Sequence, residues 1–212
     1  REQPLKHGSR TRIKICGLTR PEDILAVNQA KPDFAGFIVE FPKSRRNVTV
    51  EQLKALREEL DDAFAGSVFV NAPVELPAQL LNEGTIALAQ LHGQEDENYI
   101  RQLKTMQTAS DKGFSIKTEA DIKKAIRSEA DNILLDQGAG GTGETFDWSL
   151  VPAIKRPWFL AGGLGCENLE SAIHLLHPWA VDLSSSVETD GHKDPDKILE
   201  AVYAVRNIKE EI

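Results

Sequence analysis

Two side chains able to move protons stand at the ends of apolar runs: the thiol of Cys16 in RIKIC and the carboxylate of Asp136 in NILLD. A thiol is a base or nucleophile only as the thiolate, and its ordinary pKa is ~8.5. A carboxyl group serves as general acid or base when its surroundings tune it. Each has a plain structural alternative. A lone cysteine often packs in a core, and an aspartate ahead of a loop often caps a turn. Two further run ends suit an anion. LAGGLG carries Gly162 and Gly163, and VDLSSSVE carries Ser184, Ser185 and Ser186. Backbone N–H groups at such turns, with serine hydroxyls beside them, can cradle a phosphate or can be ordinary turn chemistry. QGAGGTGETFDW holds Gly138, Gly140, Gly141 and Gly143. With so little side chain to pack, it suits a loop that lies over a ligand. Arg46 in KSRRNV offers a fork for carboxylate or phosphate, unless it belongs with Lys43 and Arg45 to a solvated turn. His92 ends AQLHG and can hydrogen-bond at a rim. Cys166 opens a helix and reads as structural. HxxEH and CxxC spacings do not occur, so no metal site is expected.

These residues need a scaffold that brings strand ends together. Apolar runs at 12–16, 34–39, 66–70, 86–92, 112–117, 132–136, 157–163 and 180–185 each precede an amphipathic segment. Among those segments is DWSLVPAIK after the sixth run. Strict strand–helix alternation specifies a parallel sheet. Eight units predict one closed (β/α)8 (TIM) barrel, in which all carboxyl strand ends share a rim. A doubly wound open sheet is the alternative, but the glycine-rich dinucleotide turn does not follow the first strand. Thr19 before Pro21, Thr49 with Gln52, and Thr118 with Asp121 read as helix caps. Residues 12–212 are expected to be the barrel, and 1–11 a tag- or linker-like tail or the junction with a fused domain.

Strand parity adds a pair. Lys14 lies two residues before Cys16, so both face the same side of the first strand. A buried ammonium needs a counter-charge. Asp182 on the last strand, which adjoins the first in a closed barrel, is the expected partner. The pair would also favour a thiolate at Cys16.

Composition narrows the partners. The 212 residues carry 25 Lys plus Arg against 33 Asp plus Glu, a formal net charge of −8. That balance argues against nucleic acid or an anionic membrane as partner, and leaves a small anionic substrate open. Two cysteines suit a reducing, cytoplasmic setting. No apolar stretch has the ~20 residues that a membrane-spanning helix needs.

Taken in order, KICGLT, GFIVEFPKSRRNV, VFVN, QLHGQE, LLD, GGTGETFDW, LAGGL, VDLSSSVE and GHKD resemble phosphoribosylanthranilate isomerases of tryptophan biosynthesis, from about Lys14 to Asp194. The resemblance implies a (β/α)8 barrel and an Amadori rearrangement, an aldose–ketose isomerisation without cofactor or metal. It puts the catalytic thiol on Cys16 and the catalytic carboxylate on Asp136. Arg46 would meet the anthranilate carboxylate, and His92 would lie among the substrate contacts. Phosphate contacts would fall around Gly141, Gly143, Gly162, Gly163, Ser185 and Ser186. It also leaves room for fusion to, or association with, another enzyme of the pathway. The family commonly has glycine where this chain has Ser186, so a left-handed backbone is not expected there. The related isomerase of histidine biosynthesis is the alternative, disfavoured because its sites resemble a pair of aspartates. A non-catalytic phosphate-binding barrel is a third reading.

Overall fold

The computed structural model describes residues 10–138 and 147–209. Gly141 and Gly143 therefore lie outside the described residues, as do most of the glycine-rich loop and residues 1–9 of the expected tail.

Eight parallel strands close on themselves. They are β1 (Arg12–Ile15), β2 (Phe34–Val39), β3 (Phe64–Phe69), β4 (Leu88–Leu91), β5 (Asp111–Ser115), β6 (Asn132–Asp136), β7 (Trp158–Ala161) and β8 (Ala180–Leu183). Each pairs with its sequence neighbour, and β1 pairs with both β2 and β8. The closing register sets Lys14 opposite Asp182. A two-residue strand, Asn47–Val48, extends the sheet beside β2.

Helices α1 (Pro21–Ala30), α2 (Val50–Glu58), α3 (Glu75–Asn82), α4 (Glu97–Thr105), α5 (Glu119–Arg127), α6 (Leu169–Leu176) and α7 (Pro195–Arg206) surround the sheet. The capping boxes at Thr49–Gln52 and Thr118–Asp121 form as the sequence predicts. At α1 the cap is one residue later than expected. Arg20 is the N-cap, and Asp23 accepts from the backbone N–H groups of both Thr19 and Arg20.

The unit after β6 departs from expectation. DWSLVPAIK makes a single 3-10 turn over Trp148–Leu150, then runs without helix to β7. Pro152 lacks an N–H and pushes Val151 out of the helical region, so the turn stops there.

Two cores result. Outward-facing residues of the strands pack against the helices. Inside the barrel, Phe34, Leu88, Leu134, Phe159, Ala161 and Ala180 form a second cluster with Phe64 and Trp179. At the amino-terminal end Phe34, Phe159 and Trp179 pack together with centroids 5.5 to 5.8 Å apart, Phe159 edge-on to both other rings. Arg12 covers Trp179 at 4.1 Å, a cation–π contact that shields the ring from below. Among the inward positions above that layer are polar side chains: Lys14, Gln90 and Asp182, with Asp111 and Asn132 beside them. The carboxyl ends carry Cys16, His92 and Ser184, each two residues beyond one of these polar positions, and Asp136, two residues beyond Leu134. Among the described residues no helix is long and apolar enough to cross a membrane.

Candidate active site

Cys16 follows the last residue of β1, and its backbone N–H donates to Leu183 O of β8 at 2.9 Å. It is 8% exposed. Its sulfur packs over Gly36 of β2, where a Cβ would come within 2.9 Å of Sγ and 2.7 Å of Lys14 Cε. Only glycine leaves room for both side chains in that part of the barrel.

Lys14 takes the partner expected from parity. Nζ lies 2.9 Å from Asp182 Oδ2 and also donates to Gln90 Oε1. Burial opposes the ammonium, but Asp182 and Cys16 outweigh it and hold its pKa above the usual value. Burial pushes the Asp182 carboxyl up against the pull of Lys14. We read the pair as ionised at neutral pH, because the ammonium has two acceptors at bonding distance and the carboxylate receives one of its hydrogen bonds.

The effect on Cys16 is mixed. Burial pushes the thiol up and Asp182 adds to it, while Lys14 and Lys193 pull down. Burial wins, so the thiol pKa stands above its ordinary value; Lys14 favours the thiolate as expected, while its partner Asp182 opposes it. The nearby ammonium groups lower the cost of ionisation without making it spontaneous.

Asp136 ends β6. Its Oδ1 accepts from Gly138 N at 2.8 Å. Leu134, two residues earlier, belongs to the inner cluster, so Asp136 also faces inward. It stands within electrostatic reach of Asp182, as Cys16 does. Gly162, just beyond β7, has φ +91°, and a Cβ there would lie 2.6 Å from Asp136 Oδ1. Trp148 Nε1 donates to Gln137 Oε1 at 2.7 Å, and Gln137 Nε2 to Gly162 O at 3.1 Å. Both ends of the glycine-rich loop are thereby tied to the β7 turn.

The expected anion seat is at the same rim. Gly163 has φ +63° and is exposed. Asn168 braces its turn, donating to Gly163 O and accepting from Gly165 N, both at 2.9 Å. Ser185 and Ser186 begin a 3-10 turn and are exposed. Ser186 is not among the residues with positive φ, so serine costs nothing in backbone strain there. Ser184 turns inward and donates to Cys16 O at 3.1 Å.

His92 stands over Gly113, where a Cβ would meet its Nε2 at 2.6 Å. Nε2 is buried and, among the described residues, without a partner. Burial, with Lys14 and Lys112 adding to it, lowers the His92 pKa to about 3. The ring is neutral and can donate or accept, but brings no charge. Burial pushes Asp111 up to about 7 against a hydrogen bond from Asn132.

Arg46 lies across Gly17, where a Cβ would come within 2.5 Å of its Cδ. Its guanidinium is already engaged: Nε and Nη2 donate to the two carboxylate oxygens of Glu188 at 2.9 and 2.8 Å. Glu188 also accepts from Arg45 at 2.8 Å and from Lys193 at 2.8 Å. Lys193 reaches Ser184 O and Oγ at 3.1 and 3.2 Å. Burial alone would push the Glu188 carboxyl up, but these cations override it and hold it far below the usual range.

Thus Cys16, Asp136, His92, Gly162, Gly163, Ser185 and Ser186 share one rim, with Arg46 beside Cys16. Sequence reasoning quoted Glu188 and Lys193 inside motifs but gave them no role. Gln90 and Asp111 were missed too. Gln90 lies two residues before His92, the same strand parity that relates Lys14 to Cys16. Among the described residues no three or more His, Cys, Asp or Glu side chains converge as metal ligands would.

This arrangement has known counterparts. Residues 13–204 match the family model for N-(5'-phosphoribosyl)anthranilate (PRA) isomerase. An N-(5'-phosphoribosyl)anthranilate isomerase of Endomicrobium trichonymphae is 41% identical, over 93% of this chain and 99% of its own length. One from Caldanaerobacter subterraneus subsp. tengcongensis is 40% identical, with 93% and 98% covered. The crystal structure of phosphoribosyl anthranilate isomerase from Thermotoga maritima superimposes with a TM-score of 0.83 at 35% identity, covering 92% of this chain and 98% of that one. A crystal structure of phosphoribosyl anthranilate isomerase in complex with reduced 1-(o-carboxyphenylamino)-1-deoxyribulose 5-phosphate gives a TM-score of 0.78 at 33% identity, covering 92% of this chain and 98% of that one. A barrel with these strand ends, matched along nearly its whole length in sequence and in backbone, belongs to the N-(5'-phosphoribosyl)anthranilate isomerase family.

Proposed function

We propose that this chain catalyses the Amadori rearrangement of N-(5'-phosphoribosyl)anthranilate to 1-(o-carboxyphenylamino)-1-deoxyribulose 5-phosphate in tryptophan biosynthesis. The observation that carries the reading is the pair of inward-facing ends: Cys16 after β1 and Asp136 ending β6, both within electrostatic reach of Asp182.

The reaction divides between them. Asp136, protonated, gives its proton to the ring oxygen of the aminoaldose, and the ring opens to an iminium. The positive nitrogen acidifies the hydrogen on the adjacent C2. Cys16, once ionised, removes that hydrogen; as the enolamine becomes the ketone, C1 takes a proton back from Cys16 and the C2 hydroxyl gives its proton to Asp136, which restores both groups. Each proton transfer contributes roughly 10²–10⁴ in rate. The hydrogen moves within the substrate and no electrons leave it, so the chemistry itself calls for neither redox cofactor nor metal.

The ends of the substrate are held apart. Its phosphate takes the N–H groups at Gly162, Gly163, Ser185 and Ser186, with Gly141 and Gly143 from the glycine-rich loop. Its carboxylate takes Arg46. Fixing both ends sets C1 and C2 between acid and base. His92, neutral and short of a partner, supplies one more polar contact in the mouth.

Freshly prepared N-(5'-phosphoribosyl)anthranilate mixed with the protein should lose its fluorescence at an enzymatic rate. The corresponding aminoaldose of histidine biosynthesis should not turn over. Inactivity on the anthranilate compound, or a preference for the histidine-pathway compound, would overturn the reading. A cytoplasmic setting and association with, or fusion to, a second enzyme of the pathway are further parts of the proposal. Fractionation and co-purification test them.

A further inference from the structure

Arg46 does not stand free in the mouth. Glu188 takes one edge of its guanidinium, Nε and Nη2, in the two-bond geometry that fits a carboxylate to an arginine fork. Arginine has five N–H donors. Two are used here, and among the described residues Nη1 makes no hydrogen bond. The Nη1/Nη2 edge therefore remains for one more planar anion. The charges agree: among the described residues Arg45, Arg46 and Lys193 all pair with the one carboxylate of Glu188, so these four side chains carry a net positive charge and still attract an anion. Without Glu188, three neighbouring cations would repel one another, and the long Arg46 side chain would lose the contact that fixes its plane.

We infer that Glu188 is a positioning residue for substrate recognition: it holds Arg46 by one edge so that the other edge receives the carboxylate on the substrate's aromatic ring. This rests on the assignment of Arg46 made above. Glu188 touches no reacting atom. Its contribution should therefore appear in KM for substrates that carry the carboxylate, and only through Arg46.

The test compares the parent protein with Glu188→Gln, Arg46→Ala and the double variant on two substrates. These are N-(5'-phosphoribosyl)anthranilate and the analogue without the ring carboxylate, N-(5'-phosphoribosyl)aniline. In Glu188→Gln the amide NH2 faces an arginine N–H, donor against donor. KM for the anthranilate compound should rise by about 10-fold with kcat within about 3-fold. KM for the aniline compound should stay within about 2-fold. In the Arg46→Ala background the second substitution should add less than about 2-fold, because the two residues act as one unit.

An unchanged KM in Glu188→Gln, an equal rise on both substrates, or the same rise in the Arg46→Ala background would each overturn the inference. If Arg46→Ala itself leaves KM for the anthranilate compound unchanged, the Arg46 assignment falls as well. If Arg46→Ala raises that KM and Glu188→Gln does not, only Glu188 loses its role. Should Glu188→Gln fail to fold, Glu188→Asp keeps the charge one methylene further back. It should raise KM about 3-fold on the carboxylate substrate alone, and an equal effect on both substrates would refute the inference.

Discussion

Lys14 Nζ and Asp182 Oδ2 meet at 2.9 Å across the seam where the first and last strands of the barrel join. Lys14 is fully buried and the Asp182 side chain is 9% exposed, so each would be left without its counter-charge if the other were removed. Lys14→Met should cost about 3–5 kcal/mol, and the double variant with Asp182→Leu should recover much of it, as replaced buried pairs commonly do. Denaturant titration of the three variants checks this. A single variant as stable as the parent would show that the pair does not hold the seam.

The same lysine should be visible in the pH profile. Its charge favours the Cys16 thiolate, so removing it raises the thiol pKa further. The rising limb of kcat/KM against pH should move in the alkaline direction in any Lys14→Met protein that folds. A limb that stays in place would mean that Lys14 does not act on the base.

Replacing the two proton-transfer groups should separate chemistry from binding. Cys16→Ala and Asp136→Asn should each lower kcat by about 10²–10⁴ with circular dichroism unchanged. KM should move far less, because the phosphate and carboxylate contacts lie elsewhere. Full turnover in either variant would remove that residue from its assigned step.

Gly162 is tested against a control. Alanine at φ +91° carries backbone strain and also meets Asp136 Oδ1 at 2.6 Å. Gly84→Ala carries similar strain at φ +78° with nothing within 4 Å. Both should lose about 1–3 kcal/mol of stability. Only Gly162→Ala should also lose kcat, by displacing the carboxylate. Equal kinetics in the two would show that Asp136 tolerates displacement.

His92 and Asp111 give opposite pH dependences. The folded His92 pKa is lowered to about 3, so its share of stability is present above the unfolded value near ~6.5 and is lost as pH falls toward 3. The folded Asp111 pKa is raised to about 7. Its share is present below the unfolded value near ~3.9 and is lost as pH rises toward 7. Between about pH 4 and 6.5 the two slopes, up to about 1.4 kcal/mol per pH unit each, nearly cancel. Asp111→Asn should therefore gain stability relative to the parent as pH rises through that window, and His92→Leu should lose it. Thermal melts across the window would show parallel curves if neither group is perturbed.

The strand ends were the legible part of this sequence. Parallel strands must be apolar on both faces, so runs such as NILLD and FAGFIV stand out, and the residue that breaks each run is at the rim. That logic located Cys16, Asp136, His92, Gly162 and the Lys14–Asp182 pair. The segment after β6 departs from the sequence expectation because DWSLVPAIK has helical spacing of apolar residues, while Pro152 decides the backbone. Glu188 was illegible for a different reason. Its partners Arg45, Arg46 and Lys193 lie 143, 142 and 5 positions away in the chain, and no local pattern reports which distant cations one carboxylate will collect. The upward shift at Cys16 was likewise hidden, because parity gives a neighbour's charge but not the depth of burial around it.

The ring stack of Phe34, Phe159 and Trp179, with Arg12 beneath it, has a consequence for traffic. It makes the pore a blind well rather than a tunnel. Bulk water that exchanges protons with Cys16 therefore enters by the doorway that reactant and product use. Opening the bottom with Phe159→Ala should let solvent wet Lys14 from behind.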